Sequence, residues 1–149
     1  MDVHNKETRS YNMSHIRAGK TKPEEIVAKY LFSAGFRYRR NVKKLPGTPD
    51  IVLKKYKTVI FVNGCFWHMH EGCKYFVWPQ DNAEFWRKKL FANKERDERE
   101  QIELARLGWN VIVVWECELK KDKREATLQK LVATLRKNRI FSAERNFKI

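Results

Sequence analysis

Between Val59 and Cys73 an apolar run passes directly into a segment crowded with side chains that bind metals or move protons. Cys65, His70 and Cys73 follow a C-x4-H-x2-C spacing, and Cys117 closes a later apolar run that is able to lie beside the first. Three thiols and an imidazole make a closed tetrahedral donor set, the arrangement of structural Zn2+. The competing account is three buried cysteines and an unrelated histidine, but Gly64, Glu71 and Gly72 give this loop little apolar cover. His68 is then left as a general acid or base, facing away from the metal if the local chain is extended. It is equally able to replace His70 as the ligand. Asp50 follows a Pro-rich turn and opens a strand, where a carboxylate is poorly suited on propensity and well placed to hold Mg2+; a plain turn residue is the alternative. Phe66 and Trp67 either cover the sheet or enter a base stack as a wedge.

These residues need elements to position them, and the pattern supplies an α/β set. Thr21, Pro23 and Glu24 read as a helix start, with Glu24 completing a capping box, and Ile26, Val27, Tyr30, Leu31 and Ala34 recur at helical spacing up to Gly35. Phe36–Arg40 alternates as a strand with Phe36 and Tyr38 inward. Ile51–Leu53 and Thr58–Val62 are close enough to pair as a hairpin, setting Asp50 beside Val62 and Asn63. Asn82–Leu107 is expected to be a long charged helix with a broken apolar stripe of Phe85, Trp86, Leu90, Ile102 and Leu107. Trp109–Trp115 follows as a buried strand, and strand–helix–strand implies a parallel crossover in a mixed sheet. Arg124–Lys137 is a last amphipathic helix. One domain spans 1–149, with a basic arm over 1–20 and a helix and basic tail over 120–149.

Composition narrows the partner. Thirty-two Lys and Arg against eighteen Asp and Glu give +14 and a pI near 9.9, which favours nucleic acid. A lipidation signal or a basic amphipathic helix with little core behind it would be needed for a membrane surface, and neither is visible. The absence of a leader or an apolar run of about 20 residues points to the cytoplasm. Three cysteines argue against a disulfide framework there.

Taken together, Leu45-Pro46-Gly47-Thr48-Pro49-Asp50, Ile60-Phe61-Val62-Asn63-Gly64-Cys65-Phe66-Trp67-His68, then Phe85 and Trp86 with Lys89, Asn93, Arg96 and Asp97, and finally Gly108-Trp109 and Val114-Trp115-Glu116-Cys117-Glu118-Leu119 resemble the Vsr family of very-short-patch-repair DNA mismatch endonucleases. The likeness runs from about Arg9 to Leu119. It implies a relative of the PD-(D/E)xK nuclease fold, with Mg2+ for catalysis and Zn2+ for structure, that nicks one strand of double-stranded DNA at a T·G mismatch. It implies that Asp50 binds Mg2+ with the main-chain carbonyl of Val62, that His68 is the base toward water, and that Glu24 supports it. Cys65, His70, Cys73 and Cys117 would hold the Zn2+, while Met13, Phe66 and Trp67 would wedge into DNA. Asn63 stands where the family often has His beside the scissile phosphate, and Glu25 adjoins Glu24. The enzyme is expected to act as a monomer, with mismatch-repair factors as further partners. Its rivals are a nuclease of restriction or homing specificity and a catalytically weak zinc-stapled DNA-binding module.

Overall fold

The computed structural model describes residues 22–147, with side chains through residue 139. Thr21, Met13 and the 1–20 arm lie outside the described residues. The first helix, α1 (Lys22–Ser33), carries Pro23, Glu24 and Glu25 in its first turn, where a fixed φ and negative charge suit the helix dipole. Val27, Ala28 and Leu31 form its buried face. Gly35, at φ +95°, closes it in a left-handed conformation, and the Phe36 amide returns to the Leu31 carbonyl at 2.9 Å. Of the strand expected over Phe36–Arg40 only β1 (Arg39–Arg40) pairs. Phe36 is instead spent in that helix-closing turn, its ring buried in the core.

The sheet has four strands in the order β1-β2-β3-β4: β2 (Ile51–Leu53), β3 (Thr58–Asn63) and β4 (Asn110–Trp115). β2 pairs antiparallel with β1 and with β3, in the latter with Ile51 opposite Ile60. A turn of 3-10 helix (Lys54–Tyr56) and Lys57 at φ 52° make the hairpin. β3 and β4 are parallel from Thr58 beside Asn110 to Asn63 beside Trp115, joined across α2 (Ala83–Arg106). The alternating side chains divide the core between the two faces. Ile51, Leu53, Ile60, Val62 and Val114 meet Val27 and Leu31 of α1 and Leu128, Leu131 and Leu135 of α3 (Arg124–Phe147). On the other face Val52, Val59 and Leu104 of α2 pack with Val42, Leu45, Phe61, Trp109 and Val111. Each fully buried Leu or Ile contributes about 1.5–3 kcal/mol. The mixed sheet is thus clamped between helices, and the ends of β3 and β4 are rigid mounting points.

Two helices differ from expectation. The last runs ten residues past Lys137, to Phe147, since no Gly or Pro interrupts that stretch. The stripe assigned to α2 is the larger correction. Phe85, Ile102 and Leu107 are exposed, and the helix buries Leu90, Asn93 and Leu104. Its inward face changes from apolar to polar where it passes the ends of the strands.

Candidate active site and metal centre

Asp50 stands immediately before β2 and faces the far end of β3. The Val62 amide donates to its Oδ2 at 2.7 Å. Glu24, buried on α1, reaches the same carboxylate and shares a hydrogen bond with it. Burial pushes the Asp50 carboxyl above the ordinary carboxylate range; the Val62 amide, Glu24, His68 and Arg40 pull it back only in part. A half-buried carboxyl beside a buried one calls for a shared proton or a cation, and the Arg40 guanidinium, 3.9 Å from Glu24 Oε2, supplies only part of that charge. That donor chemistry fits a hard divalent ion. Glu25 pairs with the same Arg40 at 3.1 Å but does not line the cleft.

The chain after β3 folds back on itself. His68, Met69 and His70 donate their amides to Gly64, Phe66 and Cys65, and Met69 takes φ 50°. The loop is therefore a tight turn and not the extended chain expected. It still sends the two histidines to different places. His68 Nδ1 lies 2.5 Å from Asp97 Oδ2 on α2. A carboxylate only accepts, so Nδ1 carries the proton and Nε2 keeps its lone pair. His68, Asp97, Asp50, Glu24 and the buried Asn63 at the end of β3 line one cleft of about 490 Å³, with Arg96, Glu100 and Gln101 along the α2 wall. Gly47, at φ +76°, forms part of the rim, where a Cβ would come within 2.6 Å of Glu100 Oε2.

His70 goes to the thiols. The ligand atoms of Cys65, His70, Cys73 and Cys117 all lie within 4.8 Å of one another. The His70 ring stacks on Trp115 at 4.0 Å and 3°, which fixes its plane. Burial, with the neighbouring Cys117 and Cys73 thiols adding to it, pushes the Cys65 thiol up to about 12. Thiols gathered in this way need a cation before they ionise, and four soft or borderline donors suit Zn2+.

Phe66 and Trp67 bridge the two centres. Phe66 packs on Trp86 of α2 at 5.4 Å and on Phe76 at 6.3 Å, while Trp67, 51% exposed, meets Trp86 at 5.8 Å. Asn93 Nδ2 holds the Trp67 carbonyl at 3.1 Å, and Lys94 pairs with Glu71 at 2.9 Å. Phe66 is thus half-buried among these rings, and Trp67 projects.

Asp97 has no role in the sequence reading, although it closes the His68 arrangement. Its signal was present as Asn93, Asp97 and Gln101, polar residues four apart on one helix face.

The chain matches the family model described as DNA mismatch endonuclease Vsr over residues 1–74. It is 50% identical over 119 residues to the type II nicking enzyme V.NmeAIP of Neisseria meningitidis serogroup A, covering 80% of this chain and 84% of that protein. It is 47% identical over 113 residues to the type II nicking enzyme V.XorIIP of Xanthomonas oryzae pv. oryzae, with coverages of 76% and 82%. Against the DNA mismatch endonuclease Vsr of Escherichia coli K12 the identity is 45% over 119 residues, with coverages of 80% and 76%.

Proposed function

The chain belongs to the Vsr family of DNA mismatch endonucleases, and from that premise we propose that it is a Mg2+-dependent enzyme that nicks one strand of duplex DNA at a T·G mismatch. The observation that carries this reading is the cleft in which Asp50, Glu24 and the Asp97-bound His68 converge. The mixed sheet, with an acid at the start of β2 beside the end of β3, supports a PD-(D/E)xK-related fold.

Asp50 and the Val62 carbonyl would hold the Mg2+. In an extended strand the amide and carbonyl of one residue face the same neighbour, and the Val62 amide already faces Asp50. Bound there, the ion would polarise the scissile phosphate and lower the pKa of a water molecule. His68 takes the water's proton at Nε2, and Asp97 stabilises the imidazolium that forms. Glu24 orients Asp50 through their hydrogen bond. Asn63 offers an amide beside the phosphate. The products are a 3′-hydroxyl and a 5′-phosphate. Cys65, His70, Cys73 and Cys117 would hold the Zn2+ with four protein donors, and it would serve by fixing the loop that bears His68 and Trp67. Phe66, Trp67 and, from the 1–20 arm, Met13 form the wedge beside the mismatch, and the +14 charge draws the duplex in.

A strand-resolved nicking assay in Mg2+ tests this, with one T·G mismatch in several flanking contexts and a fully paired twin. One nick beside the mismatched thymine is expected. The relatives called type II nicking enzymes favour, as a second reading, a nick in another context, which equal cutting of the paired twin would reveal. Binding without cutting would leave a recognition module.

A further inference from the structure

Beyond the loop, a second pair of large rings faces outward. Trp78, in the segment between Cys73 and α2, stacks on Phe91 of α2 at 5.8 Å and 30°. The two are 41% and 50% exposed, and Val77 beside them is 72% exposed. Isolated apolar side chains on a surface are ordinary, but a contiguous patch marks an interaction surface. This one is joined to the wedge by contact, since Phe76 meets Phe66 at 6.3 Å and Trp78 at 5.0 Å.

Charge identifies the occupant. From Glu84 to Lys94, α2 carries Arg87, Lys88, Lys89 and Lys94 against Glu84 alone, whereas from Glu95 onward acids outnumber bases. Phe91 sits on the cationic half, one turn after Arg87 and Lys88, while on the following turn Lys94 is paired with Glu71 and Glu95 begins the acidic half, so the positive charge lies on the N-terminal side of the ring. A second copy of a +14 chain would bring like charge to like. A polyanion with apolar features suits the patch, and the duplex at the neighbouring wedge is one. The intervening ring separations of 6.3 and 5.0 Å set an upper limit of about three base-pair rises of 3.4 Å between the two ends.

Resting on the DNA reading above, we infer that Trp78 and Phe91 form a second DNA contact that reads a flanking base pair no more than about three steps from the wedge. The rings offer mainly apolar surface, with the Trp78 indole N–H as their one donor, and apolar contact of this kind is matched by the C5-methyl group of thymine in the major groove. Arg87 and Lys88 hold the adjoining phosphates and carry no sequence information. This gives the two ends of the aromatic cluster separate tasks, with Phe66 and Trp67 at the mismatch and Trp78 and Phe91 on its flank.

The test is selection from a pool of T·G-mismatched duplexes with randomised flanking pairs, bound without divalent cation and, separately, nicked in Mg2+. Wild type is compared with Trp78→Ala, Phe91→Ala and Trp78→Phe, with zinc content and melting recorded for each. Wild type should enrich thymine at one flanking position about tenfold, the size of one mismatched site position. Either alanine variant should flatten that position and leave the others, and Trp78→Phe should retain most of the preference. If Trp78→Ala disturbs the zinc loop, Phe91→Ala, on the helix, carries the comparison. An unchanged flanking profile, or a uniform loss across all contexts, overturns the inference. Because the binding arm needs no cleavage, a wild type that selects the flank without nicking defeats the endonuclease reading alone, and one that binds no mismatched duplex defeats both.

Discussion

Two polar clusters leave the end of β3 in opposite directions, and they differ in what each leaves open. Cys65, His70, Cys73 and Cys117 turn inward on one another, with their four donor atoms close enough for a single ion to engage them all. Asp50, Glu24, His68 and Asp97 instead line an open cleft. The first cluster is built from soft donors brought from the loop and from just beyond β4. The second is built from hard oxygen donors and an imidazole, and it draws on α1, the start of β2, the loop and α2. The contrast teaches a division of labour around one loop, which supplies His68 to the open cleft and Cys65, His70 and Cys73 to the closed group. A closed centre confers position, and an open one confers reactivity, so damage to each should be distinguishable.

The widest separation is expected at Asp50. Asp50→Ala should reduce nicking by at least about 10³-fold while zinc content and DNA affinity stay near wild type, because electrostatic stabilisation of the reacting phosphate is lost and the staple is untouched. Single-turnover nicking and a binding titration measure the two sides; cleavage that survives the substitution removes Asp50 from the mechanism. Asp97→Asn should follow, with nicking lowered by about 10²–10⁴-fold at unchanged affinity. An amide at this position is able to donate to Nδ1 and so favours the wrong tautomer of His68, as well as withdrawing the charge that stabilises the imidazolium. Wild-type rates in this variant would make the His68–Asp97 bond a matter of structure alone.

How much of this was legible beforehand follows from the kinds of signal each residue leaves. The hairpin that sets Asp50 against Val62 could be read from two apolar runs and a short connection, and the crossover from a long helix between two strands. Cys65, His70 and Cys73 were legible as a spacing, but assigning His70 and not His68 to the thiols depended on the left-handed Met69, a backbone feature that no local composition announces. Asp97 was hidden for another reason. A helix that borders an active site interrupts its own apolar face with polar residues, so a search for an apolar stripe selected Phe85, Ile102 and Leu107, which face solvent. Glu24 shows the converse problem, since a carboxylate in the first turn of a helix already has a sufficient local explanation, and only tertiary packing against Asp50 gives it a second.

The staple itself is tested by Cys117→Ser. Three thiolates and an imidazole come from two segments far apart in sequence, so an ion bound by them would contribute directly to folding. The variant should lose stoichiometric zinc and melt about 10 °C lower, at roughly 2–4 °C per kcal/mol for a chain of this size. Zinc affinity in the wild type should also rise with pH, because binding displaces a proton from Cys65, whose thiol burial holds up to about 12. A variant that keeps one zinc per chain with an unchanged melting temperature would contradict the ligand set.

The smallest effect is also the one that separates the two clusters by sign. Burial raises the Asp50 carboxyl in the folded chain, so between the ordinary aspartate range and that raised value the folded form binds more protons than the unfolded form. Stability associated with the neutral carboxyl is therefore fully present below the ordinary range and lost as pH rises through the folded value. At neutral pH, in chelator that spares the zinc, wild type carries the cost of a buried charge and Asp50→Asn does not. The variant should then melt a few degrees higher, and the gain should vanish in acid. Added Mg2+ should narrow or reverse the difference by stabilising only the chain that retains the carboxylate. A wild type more stable than the variant at neutral pH without Mg2+ would show that Asp50 serves the fold first, and the proposed contrast between a cleft that weakens the protein and a staple that strengthens it would fail.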